Sequence, residues 1–121
     1  MSAVAVAGFD RIAQRDLALQ KANDVRTANA RLLEEIAAMP RQQGREFVAD
    51  LLCDPPENVG AIPVARLLLA LRRVGPTKTT EWLRAIGVVT PTRRVRELTV
   101  RQRGELAARV VRLSEWERRA V

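Results

Sequence analysis

Between about Phe9 and Ala38 the chain contains neither proline nor glycine, and no other stretch limits the fold as strongly. Ile12, Leu19, Ala22, Val25, Leu32, Leu33 and Ile36 recur at helical spacing and form one broad apolar stripe. Arg11, Arg15, Asp24, Arg31, Glu34 and Glu35 occupy the other side. A helix over this range would be roughly 45 Å long. A chain of 121 residues builds one modest core, too small to cover such a helix, so its N-terminal part is expected to project. Met39-Pro40 ends it, because a residue before proline is driven out of helical geometry.

Shorter helices follow. Arg45 to Leu52 fits a second helix, with Gly44 before it, Pro55-Pro56 after it, and Phe47, Val48, Leu51 and Leu52 inward. Pro55 to Gly60 reads as a loop. Pro63 suits the first turn of a third helix, where its missing N–H costs nothing, and Val64, Leu67, Leu68 and Leu71 face the core from there. The chain then turns at Gly75 into a helix with Trp82, Leu83 and Ile86 inward, which Gly87 stops as a left-handed cap. Val88 to Arg96 is irregular. Thr99-Val-Arg-Gln102 is a capping box that opens a last helix through Leu106, Ala107, Val110, Val111 and Leu113. The charged tail after Ser114 is expected to fray. The fold class is therefore all-α, a long N-terminal helix followed by a compact helical domain. Residues 1–60 serve as scaffold and 61–121 as a basic module of the same continuous globular unit.

Charge sets the partner class. Lys and Arg total 21 against 14 Asp and Glu, a net of +7, and the sequence pI is about 11.3. The imbalance is one-sided: residues 1–60 carry a net of −2 and residues 61–121 a net of +9. An anionic partner is implied, nucleic acid before a membrane surface, with the contact surface in the second half.

Catalysis has little to stand on. The absence of histidine removes the commonest general base and transition-metal ligand, and the six glycines are too scattered for a phosphate loop. The sequence predicts a non-enzymatic protein without cofactor, metal or small-molecule substrate. The single cysteine, Cys53, lies in an apolar stretch and reads as a buried thiol in a reducing, cytoplasmic setting. No apolar run reaches the roughly 20 residues of a membrane span, and the first ten residues lack the pattern of a secretion signal.

Two constellations suit phosphate. At Val74-Gly75-Pro76-Thr77-Lys78, a small residue opens a helix whose first N–H groups, beside Lys78, can meet an anion; Pro76 removes one donor. In Pro91-Thr92-Arg93-Arg94-Val95-Arg96, three arginines within four positions exceed what a short segment can neutralise internally, and guanidinium groups suit phosphates or a narrow minor groove. Arg101, Arg103, Arg109 and Arg112 follow. Aromatic residues do not interleave with these cations as single-strand stacking requires, which places double-stranded DNA ahead of RNA.

The stretch from Arg66 to Ala107 also resembles the actinobacterial integration host factor family. The likeness lies in an apolar helix, Val74-Gly75, Lys78 three residues past the glycine, Pro91-Thr92-Arg93-Arg94-x-Arg96 and Arg101-Gln102-Arg103-x-x-Leu106, preceded by Ala18-Leu-Gln-Lys-Ala22 on a long helix. The resemblance implies a helix-two-turns-helix module in a nucleoid-associated protein. Such a protein binds DNA with little sequence preference, bends or compacts it, and assists phage integration, with an integrase or nucleoid partner, and is monomeric when free. Pro76 stands where the family carries a donor, often lysine, and Val88-Val89-Thr90 is one residue longer than its usual segment. Candidate DNA-binding residues are Gly75, Thr77, Lys78, Arg93, Arg94, Arg96, Arg101, Arg103 and Arg109. The alternative is an RNA- or ribosome-associated protein, since related modules occur in a small-subunit ribosomal protein. An adaptor using the stripe of the long helix is a third reading.

Overall fold

The computed structural model describes the backbone of residues 3–120 and the side chains of residues 11–117 and Arg119. Six α-helices and one 3-10 turn make up the described chain: α1 (Ala3–Ala38), α2 (Arg41–Cys53), α3 (Glu57–Gly60), α4 (Val64–Leu69), α5 (Pro76–Ala85), the 3-10 turn (Val95–Glu97) and α6 (Val100–Ala120). The all-α expectation holds.

α1 begins before Phe9 and stops where proline dictates, Met39 N–H closing its last turn on the Glu35 carbonyl. Its apolar stripe is only half used. Ile36 is buried and Leu32 and Leu33 are half-buried against the core, but Ile12 and Leu19 are 62% and 57% exposed. Every residue from Arg11 to Asp24 faces solvent. Periodicity marked a stripe longer than the core can cover. The helix leaves the core at a reciprocal amide pair: Asn29 Nδ2 donates to the Asn58 carbonyl (2.9 Å) and Asn58 Nδ2 to Asn29 Oδ1 (3.2 Å).

The core joins both halves of the chain, with α2 lying along α6. Val48, Leu52, Val64, Leu67, Leu68, Leu106 and Val110 are fully enclosed, each stabilising the fold by about 1.5–3 kcal/mol relative to exposure. The same helices carry a buried ion. Arg45, 1% exposed, gives two hydrogen bonds to Glu117 (2.9 and 3.0 Å) and one to Ser114 Oγ (2.8 Å), and Arg41 adds a third cation–carboxylate contact at 3.0 Å. This anchorage reaches beyond Ser114, where fraying was expected, and α6 continues as helix to Ala120. The hydrogen bond from Arg45 holds the Glu117 carboxyl below its ordinary range, with the charges of Arg41 and Arg73 acting in the same direction and partial burial opposing them.

Several boundaries differ from expectation. Gly44 lies inside α2, packed near Ile36, Met39 and Leu71, where an apolar helix contact outweighs glycine's poor propensity. Glu57–Gly60 forms one helical turn within the expected loop. Cys53 is exposed, because α2 ends there with that side turned outward, and Val111 is exposed at 39%. Trp82 is half-buried. Other local signals hold. Gly87 has φ +85, and its N–H and that of Val88 bond to the Arg84 and Leu83 carbonyls, the paired bonds of a Schellman cap. Thr99 and Gln102 exchange the two capping-box hydrogen bonds (2.9 and 3.1 Å).

Candidate nucleic-acid interface

The turn into α5 divides its work between two residues. The backbone reverses at Arg73, whose φ of 64 is left-handed and costs a non-glycine residue about 1–2 kcal/mol. Gly75 is the N-cap in ordinary extended geometry (φ −94), so the expected sharp bend at Gly75 sits two residues earlier. A Cβ at Gly75 would meet nothing within 4 Å, so the space in front of it is open. The first backbone bond of α5 runs from Thr79 N–H to the Gly75 carbonyl (3.0 Å). With Pro76 at the first position and no side-chain cap, Thr77 and Lys78 present N–H groups without an intrahelical partner at the helix start.

One turn further on, α5 and α6 enclose a groove of about 220 Å³. Lys78 and Trp82, four apart, line one wall; Arg109, Arg112, Leu113 and Trp116, on one face of α6, line the other. Among the described residues, none of its three cations has a carboxylate within 4.0 Å. Unneutralised positive charge between low-dielectric walls concentrates the field on a bound anion.

The arginine-rich segment is pinned despite its irregular backbone. Arg93 N–H closes the Thr90–Arg93 turn (3.2 Å), the Arg93 carbonyl accepts from Val64 N–H (2.8 Å), and Val95 N–H donates to the Ile62 carbonyl (3.0 Å). These bonds form an isolated antiparallel bridge, Pro63 to Arg94. Val95 is fully buried beneath it. Gly60 permits the approach, since a Cβ there would stand 3.2 Å from Arg96 Cβ. Arg94 and Arg96 are thereby exposed and Arg93 half-buried. Arg94 opens onto a larger cleft of about 670 Å³ between α1 and the Ala61–Arg66 stretch, which also holds Lys21, Arg26 and Arg66. The first half of the chain thus supplies cations to an anion-attracting surface, although its net charge located that surface entirely in the second half.

Two further candidates have partners within the protein, one half-buried against a helix end and one at the surface. Arg103 Nη1 donates to the Leu52 carbonyl (3.1 Å) and lies near that of Cys53 (3.4 Å), closing the C-terminus of α2. Arg101 pairs with Glu105 one turn on (3.2 Å) at the exposed surface. Lys78 and Arg109 share the groove, Gly75 and Thr77 stand at the helix start above Lys78, and Arg94 belongs to the other cleft. Sequence reasoning passed over Trp116 and left Arg112 out of the candidate set. The spacing 109, 112, 113, 116 marks one helical face and could have shown them together. Gln102, the only amide side chain after residue 60, is also occupied, since it caps α6 and donates to the Ile86 carbonyl (3.1 Å).

No helix among the described residues is long and apolar enough to cross a membrane. No protein-family model, curated protein or solved structure matches this chain.

Proposed function

We propose that this chain is an architectural protein that binds double-stranded DNA with low sequence preference and bends or compacts it, acting in the nucleoid without chemistry of its own. The observation that carries the reading is the gathering on two surfaces of cations that have no carboxylate partner among the described residues: Lys78, Arg109 and Arg112 in the α5–α6 groove, and Arg94 with Lys21, Arg26 and Arg66 around the α1 cleft. Low preference is supported by the occupation of Gln102, which leaves the basic module no amide for bidentate reading of adenine. The order of α4, the Arg73–Gly75 turn, α5, the Gly87 turn, the arginine segment and α6 suits a helix-two-turns-helix module, and assistance to phage integration belongs to the same reading.

The test is a titration of a random-sequence duplex at several salt concentrations, with duplex RNA as competitor. Neutralisation of roughly four to six phosphates gives a slope of log K against log[salt] of about −4 to −5. Unrelated DNA duplexes are expected to differ by less than about tenfold, or 1.4 kcal/mol. A slope near zero, or equal preference for duplex RNA, overturns the proposal.

A further inference from the structure

The α5–α6 groove holds more than cations. Trp116 is 65% exposed, whereas tryptophan is ordinarily among the most buried side chains on average. It shares the groove with Trp82, although the two lie far apart in sequence. Sequence alone showed cations without interleaved aromatics; the packing of α5 on α6 brings the two kinds together. A volume of about 220 Å³ falls below the roughly 300–1,000 Å³ of sites for drug-sized ligands and suits a single flat ring system. Among the described residues no carboxylate lines it, which disfavours a basic or metal-bearing ligand.

We infer that this groove receives one base of the bound DNA that has left the duplex stack, its ring against Trp116 and its flanking phosphates on Lys78, Arg109 and Arg112. The inference rests on the DNA-binding reading and adds to it a preference for interrupted or sharply bent duplexes. In a continuous duplex, unstacking opposes entry of the base; at a bulge that cost is already met. Every base offers a π-face, so the contact adds affinity without reading sequence.

The chain carries its own probe: two tryptophans and no tyrosine, both tryptophans lining this groove. The full chain is titrated with a labelled continuous duplex, with the same duplex carrying a one-nucleotide bulge, and with a deoxynucleoside monophosphate. Affinity is followed by anisotropy of the label and groove occupancy by tryptophan emission. The bulged duplex is expected to bind about tenfold more tightly and to quench emission more strongly. Trp116→Ala is expected to bring the affinity ratio close to one, and Trp116→Phe to preserve most of it. Circular dichroism checks that helical content is unchanged, as the exposure of Trp116 requires. Equal binding and quenching by the two duplexes, or a ratio that survives Trp116→Ala, overturns the inference and leaves the DNA reading standing. Quenching by the monophosphate without a bulge preference marks a free-nucleotide site and also overturns it. Failure to bind either duplex overturns both.

Discussion

α6 presents two charged faces that residue counting cannot tell apart. On one, Arg103 closes the end of α2, and Ser114 and Glu117 take the buried guanidinium of Arg45. On the other, Arg109, Arg112 and Trp116 border a groove in which no carboxylate among the described residues answers the cations. The helix supplies the same residue types to both faces, and the phase along it decides which arginines hold the fold together and which are left for a ligand. Even the one-sided excess of +9 after residue 60 is a mixed quantity. Part of it is engaged by the protein itself, in Arg72 to the Ala37 carbonyl (3.2 Å), Arg103 to Leu52 and Arg101 to Glu105, whereas the cations of the groove have no carboxylate partner among the described residues.

The sharpest way to break this contrast is at the inward face. Glu117→Gln leaves Arg45 buried with its charge unmatched. Losing one partner of a buried pair costs about 3–5 kcal/mol; because the Glu117 side chain is 20% exposed, the lower end is expected, about 3 kcal/mol, read from chemical denaturation. The same pair sets an acid dependence. The folded-state pKa of Glu117 lies below its ordinary 4.5, so its contribution is complete above the unfolded pKa and is lost as the pH falls through the folded one. Wild type should therefore lose more stability than Glu117→Gln on acidification below about pH 4.5. If the two lose stability in parallel, Glu117 is not an internal anchor and α6 is held by its apolar residues alone.

A second comparison sets Arg103 against the groove. Arg103→Ala is expected to destabilise by about 1–2 kcal/mol through the carbonyls it leaves without a donor, with little change in the salt slope of DNA binding. Arg109→Ala with Arg112→Ala should do the reverse, changing stability by no more than about 0.5 kcal/mol and lowering the salt slope by about one for each phosphate contact removed. Should Arg103→Ala alone flatten the slope, the division of α6 into an inward and an outward face fails.

Local chemistry was the legible part of this molecule. The helix stop at Met39 before Pro40, the left-handed position at Gly87 and the Thr99–Gln102 box each act within a few residues, so the sequence contains all the parties to them. What escaped depends on partners distant in the chain. Arg45 looks like any helix-opening arginine until α6 brings Glu117 to it. The groove needs Lys78 and Trp116, which only the contact of α5 with α6 brings together. The arginine cluster at 93–96 was visible as charge, but not the bridge to Ile62 and Val64 that fixes its backbone, nor the cleft onto which Arg94 opens.

The finest test of the comparison falls on Arg101, which belongs clearly to neither face. It stands in the first turn of α6, where the helix dipole disfavours a cation, and Glu105 one turn later offsets that. Its side chain is 89% exposed, and an exposed pair of this spacing contributes about 0.3–0.5 kcal/mol. Arg101→Ala removes a favourable and an unfavourable interaction of similar size, so stability should change by less than about 0.5 kcal/mol. Binding is where the residue must declare itself. If Arg101 reaches a phosphate, Glu105 competes with the DNA for it. Glu105→Gln is then expected to raise affinity a few-fold at low salt, about 1 kcal/mol or less, and Arg101→Ala to lower the salt slope by about one. The double variant should bind no more tightly than Arg101→Ala, because freeing a partner that is no longer present gains nothing through it. If Glu105→Gln raises affinity equally with and without Arg101, the gain is general charge repulsion relieved at the surface, and the outward face of α6 begins at Arg109.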